Sequence, residues 1–535
     1  MPRPAFHQSP YPEPGLSASN TLSRIWHSLG VTGLLVVLAG CSAPKEARTP
    51  PPPAPVSSIN LAQPGVASAT GATYTPASFA AAASSVAQLP EPLRSRWQAT
   101  GAPESALSLV IAEVGQSPTV GINPMQPRNP ASVMKLVTTY AALEALGPSH
   151  TWRTELLTGA NAMPLPDGTL PGPLYVRASG DPHIKLEDMW RMLRELRLRG
   201  VRTLPGIVID DSVYGNVAID PGEFDNAPDR IYNASPDALL IGFGALRLLH
   251  VPDTRAGAWQ VVLDPPLPGV RVENQVKASQ ASCPGAPAVR TQQIVQQEEI
   301  VLRVSGTVAL SCGEFSLYRL ALPPREHAVR TLQQMWRELG GQLTGPVVRG
   351  LAPPDAVPLA THDSPPLSEL IRTVNKQSNN VMARMMLLAL GEQYGQPATL
   401  QTGGVGLARA LADRGLVFPE LVVENGSGLS RNGRVSAASM ASMLNAAWVS
   451  ERMPEFVSSL AIAGEDGTVR RRWKTEGTRG KAHLKTGTLR DVSALAGYVQ
   501  GASGKRYVLV SMINDAKAFN TRAFNDALVQ WLSEH

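Results

Sequence analysis

Cysteine is scarce, with three in 535 residues, which excludes a small scaffold stapled by disulfides and a zinc site built on paired cysteines. The nine histidines show no His-Glu-x-x-His spacing, so no metal and no cofactor are called for. Charge is also sparse: Asp, Glu, Lys and Arg make up 17% of the chain, and a net +5 is diluted over its length without a long Lys/Arg run. Nucleic acid therefore has no electrostatic footing, although a mildly basic protein is drawn to anionic envelope surfaces. The Gly-x-Ser-x-Gly elbow of α/β-hydrolases is missing around Ser427, and Gly504-Lys505 lacks the rest of a phosphate loop. The first apolar run, Leu29 to Gly40, is too short to cross a bilayer as a mature helix.

What is there begins with that run. Preceded by Arg24 and closed by Leu38-Ala39-Gly40-Cys41, it reads as a signal-peptide core and resembles a bacterial lipoprotein box, whose cysteine becomes the lipidated N-terminus. Residues 1–40 are thus expected to be a lipoprotein-type signal peptide, with Cys41 as the anchor. Ser42 next to it fits sorting to the outer membrane, facing the periplasm. Residues 41–85, rich in Pro, Ala, Ser and Thr with Pro50 to Pro53 in a row, cannot bury a core and read as a tether. Export leaves Cys283 and Cys312 in an oxidising compartment, and a disulfide between them is expected, contributing roughly 3 kcal/mol.

The rest of the chain is too long for one core. Leu107 to Val114 and Thr119 to Ile122 predict a hairpin. Asn129-Pro130 opens a helix that Gly147-Pro148 closes, with Asn129 as N-cap and Pro130 as its first residue. Apolar residues on nearly every side predict that this helix is buried. Between about 160 and 348 strands and helices alternate, and Met189-Trp190-Arg191-Met192-Leu193 recurs as Met335-Trp336-Arg337-Glu338-Leu339. These suggest two related helix-strand units around a β-rich segment at about 257–322. Helices at Leu367 to Lys376 and Val381 to Leu390, three late strands and a C-terminal helix packed on the sheet complete the pattern.

Chemistry enters at Ser132 and Lys135. Serine needs a neighbouring base, and a three-residue spacing puts both side chains on one helix face, in a first turn whose N–H groups are free to hold an oxyanion. Ser132-Val133-Met134-Lys135, Ser378-Asn379-Asn380 and Lys485-Thr486-Gly487 occur in the order of the Ser-x-x-Lys, Ser-Asp-Asn and Lys-Thr-Gly elements of penicillin-binding proteins and class A β-lactamases, with Asn379 in place of the aspartate.

From about residue 90 to the end, the chain resembles the class C low-molecular-mass penicillin-binding proteins, the D-alanyl-D-alanine carboxypeptidase/endopeptidase family. The resemblance also rests on Ser179 to Pro182, Asn425 to Arg431, Gly464 to Arg471 and Lys485 to Tyr498, and on the 246 residues (378 minus 132) between the first two motifs. It implies an α+β fold: a β-lactamase/DD-peptidase-like catalytic domain, an antiparallel sheet flanked by helices, in two parts at 86–159 and 349–535. Between them an inserted α/β domain at 160–348 holds the small β-rich subdomain. The implied substrates are peptidoglycan stem peptides, and β-lactam antibiotics are the implied covalent inhibitors.

By the same resemblance Ser132 is the nucleophile and Lys135 its base, made neutral by burial and by the like charge of Lys485. Ser378 relays a proton to the leaving amine and Asn380 holds the substrate amide. Lys485 and Thr486 bind the terminal carboxylate, and the N–H groups of Ser132 and Thr488 form the oxyanion hole. Gly487 lets the strand approach, and Arg431 contacts substrate. Two other readings use the same residues: a β-lactamase-like or esterase hydrolase, which the long insertion disfavours, and a catalytically silent envelope-binding protein, which the intact motifs disfavour.

Overall fold

The computed structural model describes residues 88–535 apart from 161–162, 286 and 298. The expected signal peptide, Cys41 and tether lie outside these residues. Among the described residues no helix is long and apolar enough to cross a membrane.

The predicted hairpin forms as Leu107–Glu113 and Pro118–Ile122, and the late strands Ala482–Leu489, Val492–Gln500 and Arg506–Asn514 complete its sheet. A short strand, Ala461–Ile462, makes the sixth member, and every neighbouring pair is antiparallel. Side chains alternate across such a sheet. Leu109, Ile111, Leu484 and Leu495 face one layer with Phe524, Leu528 and Leu532 of the C-terminal helix Arg522–Glu534. Val110, Ala112, Ala494 and Ala496 face the other, larger layer of helices. Ala523, beside Phe524 on this helix, is exposed.

At the centre of the larger layer lies Met134–Leu146, buried from Met134 through Leu143. Its start differs from the expectation. Pro130 precedes a 3-10 turn, Ala131–Val133, and the α-helix begins only at Met134. Ala131 has φ +45°, a left-handed conformation uncommon outside glycine. Backbone packs closely against this turn on two sides: a Cβ on Gly428 would lie 1.8 Å from the Ala131 carbonyl oxygen and one on Gly487 would lie 2.5 Å from that of Pro130. Ser132 is thus presented by a wedged turn rather than by a regular helix.

A second core surrounds a five-stranded sheet ordered Val347–Arg349, Ile207–Asp210, Leu174–Arg177, Arg153–Thr158 and Val357–Asp363. This sheet extends beyond 160–348 at both ends, through Arg153–Thr158 and Val357–Asp363, which pair antiparallel. The sequence repeat maps onto helices Leu186–Leu198 and Pro324–Glu338. The strands after them, Ile207–Asp210 and Val347–Arg349, pair parallel. Met189 and Met335 are both buried, but Trp336 is buried and bonded to the Gln342 carbonyl whereas Trp190 is exposed. Two three-stranded sheets with their own core span 245–320, and Cys283 and Cys312 are joined there by a disulfide.

Candidate active site

Three elements from distant parts of the chain meet between the six-stranded sheet and the buried helix. The wedged turn supplies Ser132, and the first turn of the α-helix supplies Lys135. Asn129 fixes this turn from outside: its Oδ1 accepts from Ala131 N at 2.9 Å, while its backbone exchanges hydrogen bonds with the Asn514 amide at 2.7 and 3.0 Å. Lys135 is fully buried, and its Nζ donates to Asn380 Oδ1 at 2.6 Å and to the Ser427 carbonyl at 2.6 Å and lies within hydrogen-bond distance of Ser132 Oγ, 3.0 Å away.

Ser378 sits between helices Leu367–Lys376 and Asn380–Glu392, at φ +60°. Asn379 caps the second helix, its side chain accepting from Met382 N at 3.0 Å. That role suits asparagine, which explains how the motif's central position serves here without an aspartate. Lys485, on Ala482–Leu489, is fully buried and donates to Ser378 Oγ at 2.9 Å and to the Thr486 carbonyl at 2.8 Å. Each motif serine is therefore hydrogen-bonded to one buried lysine.

The electrostatics follow from burial. Desolvation, reinforced by the charges of Lys485 and Arg384, holds Lys135 well below the ordinary lysine range. Desolvation alone pushes Lys485 down to about 7. A neutral amine 3.0 Å from a serine hydroxyl is equipped to accept its proton.

These groups open onto a cavity of about 670 Å³ whose lining includes Ser132, Ser378, Asn380, Thr488, Arg431 and Tyr232. Gly487 presses the strand against the nucleophile, since a Cβ there would lie 3.1 Å from Ser132 N. The Thr486 hydroxyl meets that of Thr468 at 2.9 Å. Arg431 stands at the rim, 4.2 Å over the Phe224 ring and 3.6 Å from Asp491. Ser132, Ser378, Asn380 and Thr488 thus line one cleft, with Lys135 and Lys485 buried behind it and hydrogen-bonded to its two serines; Cys41 lies outside the described residues, and the Cys283–Cys312 bridge lies in the separate 245–320 region.

Sequence reasoning missed four contributors: the Ser427 carbonyl, Thr468, Tyr232 and Arg384. Ser427 and Thr468 lie within stretches that carried the family resemblance, which marked the segments without assigning these groups a role. Tyr232 and Arg384 had no local signal, because their roles depend on contacts made across the fold. The Asn380 amide donates to the Tyr232 carbonyl at 3.0 Å, so a segment far from the motifs completes their geometry.

The model of the family described as D-Ala-D-Ala carboxypeptidase 3 (S13) matches residues 99–535. The chain is 29% identical over 425 residues to a D-alanyl-D-alanine carboxypeptidase of Actinomadura sp. (strain R39), covering 76% of this chain and 77% of that one. It is 28% identical over 388 residues to the carboxypeptidase DacB of Haemophilus influenzae, covering 72% and 80% respectively. In fold it is similar to the crystal structure of penicillin binding protein 4 from Haemophilus influenzae, with a TM-score of 0.68, 24% identity, and coverage of 84% of this chain and 100% of that one.

Proposed function

The chain belongs to the D-Ala-D-Ala carboxypeptidase 3 (S13) family, and we propose that it hydrolyses D-alanyl bonds of peptidoglycan stem peptides, as carboxypeptidase, DD-endopeptidase or both, through an acyl-enzyme on Ser132. The observation that carries this reading is the pairing of each motif serine with a fully buried lysine in a single cleft.

In this reading neutral Lys135 takes the Ser132 proton as Oγ bonds to the carbonyl carbon of the penultimate D-alanine. The carbonyl electron pair moves onto oxygen, held by the N–H groups of Ser132 and Thr488. Collapse breaks the amide bond, and the departing amine takes, through Ser378, the proton that Lys135 accepted, which leaves Lys135 neutral once more. Asn380 orients the acyl side of the substrate, while Lys485 and Thr486 hold the terminal carboxylate. Arg431 guides the peptide at the rim. Water then attacks the ester with neutral Lys135 as base, the carbonyl–Oγ bond breaks, and Lys135 returns the proton to Ser132 as the acid product leaves. A β-lactam enters the first step as a strained amide.

Peptidoglycan places the enzyme in the cell envelope. Cleavage of residues 1–40, lipidation of Cys41 and a tether over 41–85 would hold it to the outer membrane on the periplasmic side. Parts 86–159 and 349–535 would form the catalytic domain, with 160–348 inserted and 257–322 nested within the insertion, except that strands Arg153–Thr158 and Val357–Asp363 belong to the sheet of the insertion.

A fluorescent penicillin is expected to label the purified protein. Ser132→Ala is expected to lose the label while keeping its melting temperature, and labelled Ser132→Ala would refute the nucleophile. Free D-alanine released from purified muropeptides marks carboxypeptidase action, and monomers released from dimers mark endopeptidase action.

A further inference from the structure

Arg384 lies one turn beyond Asn380 on Asn380–Glu392, with only 2% of its surface exposed. Its Nη1 donates to the Ala234 carbonyl at 2.6 Å and to the Tyr232 carbonyl at 3.4 Å, and its Nε has no hydrogen-bond partner. The Tyr232 carbonyl is also the acceptor of the Asn380 amide, whose Oδ1 accepts from Lys135. A chain of contacts therefore runs from the guanidinium through one carbonyl and one amide to the amine beside the nucleophile.

We infer that Arg384 is a positioning residue for the reaction proposed above: by clasping residues 232–234 it fixes the Asn380 amide, and through that amide the direction in which Lys135 faces Ser132. Its charge acts in the same sense. Arginine keeps its proton where lysine does not, so a permanent cation behind Asn380 favours the neutral form of Lys135. The other charged groups facing this region are Lys485 on the sheet side, and Asp220, Glu223, Glu424 and Arg431, which line with Arg384 a second cavity of about 330 Å³. Asp225 reaches the same loop through the Tyr232 hydroxyl at 2.8 Å. Burial dominates at Arg384 and brings it down to about 10, which still leaves it charged at neutral pH.

The test is the pH profile of acylation by a fluorescent penicillin, measured on the full chain. Arg384→Gln keeps an amide donor for the carbonyls but removes the charge. Its acid limb is expected to move up by about one pH unit, so that acylation on the limb is about tenfold slower than wild type. A folded Arg384→Gln whose limb coincides with wild type overturns the inference. Should that variant fail to fold, Arg384→Lys serves: one ammonium lacks the planar fork, and the plateau rate is expected to fall about tenfold. A wild-type plateau and limb in Arg384→Lys overturns the inference as well. Absence of labelling in the wild type is a separate result, which refutes the peptidase reading itself.

Discussion

Lys135 and Lys485 are arranged as counterparts across the cleft, the first 3.0 Å from the Ser132 hydroxyl and the second 2.9 Å from that of Ser378. Both are fully buried, so the protein places two amines where neither is readily ionised. Their surroundings nevertheless assign them different work. Lys135 is enclosed by the Asn380 side chain and the Ser427 carbonyl, whereas Lys485 adjoins Thr486, whose hydroxyl meets Thr468.

Burial pushes Lys485 down to about 7, below the ordinary lysine value, so above neutrality it is largely neutral unless a carboxylate is bound. A bound carboxylate favours the ammonium form, and binding at pH 8 is expected to take up close to one proton per ligand. Calorimetry on Ser132→Ala with a D-alanyl peptide, in buffers of different ionisation enthalpy, measures this uptake. Affinity is expected to weaken as pH rises above about 7. Binding without proton uptake would contradict the carboxylate role of Lys485.

Gly428 has φ +74°, and a Cβ there would lie 1.8 Å from the Ala131 carbonyl oxygen. Gly428→Ala is expected to destabilise by about 3 kcal/mol through strain and overpacking. It should also slow penicillin acylation by more than about 100-fold, because the displaced peptide carries Ser132. Thermal melts and labelling kinetics read the two effects separately. Gly115, at φ +77° with nothing within 4 Å of a Cβ, controls for the backbone strain alone, so Gly115→Ala is expected to cost less and to leave acylation unchanged.

Glu392, the last residue of Asn380–Glu392, is pushed up to about 7 by burial, and its Oε1 has no partner. A carboxyl raised from its ordinary value of 4.5 contributes stability that is fully present below pH 4.5 and is lost as pH rises through about 7. Glu392→Gln is expected to match wild type at pH 4 and to exceed it by about 2 kcal/mol at pH 8, after discounting for partial exposure. Denaturant titrations at the two pH values check this. Equal stability of variant and wild type at pH 8 would exclude the buried-carboxyl account.

Much of this architecture was legible from local pattern. The hairpin Leu107–Glu113 and Pro118–Ile122 and the helix Leu367–Lys376 fall where local pattern placed them, and the motif residues Ser132, Lys135, Ser378, Asn380 and Lys485 were identifiable because their chemistry depends on short spacings. The left-handed Ala131 was not legible, because the turn packs against two glycines hundreds of residues downstream and nothing in Asn129-Pro130-Ala131 signals it. Arg384 escaped for a related reason. An arginine in a helix reads as a surface residue, and only the fold turns it inward onto carbonyls of a segment 150 residues earlier. The repeated tryptophan carries the converse lesson, since equivalent places in a motif do not guarantee equivalent surroundings.

Arg153–Thr158 and Val357–Asp363 lie side by side, so by topology alone everything between them looks like a cassette that could be clipped out and replaced by a short turn. The Tyr232 carbonyl forbids that surgery. A trimmed enzyme would keep all three of its signature motifs and yet strand an asparagine and an arginine facing solvent, so the border of the working machine runs through the cassette and not around it.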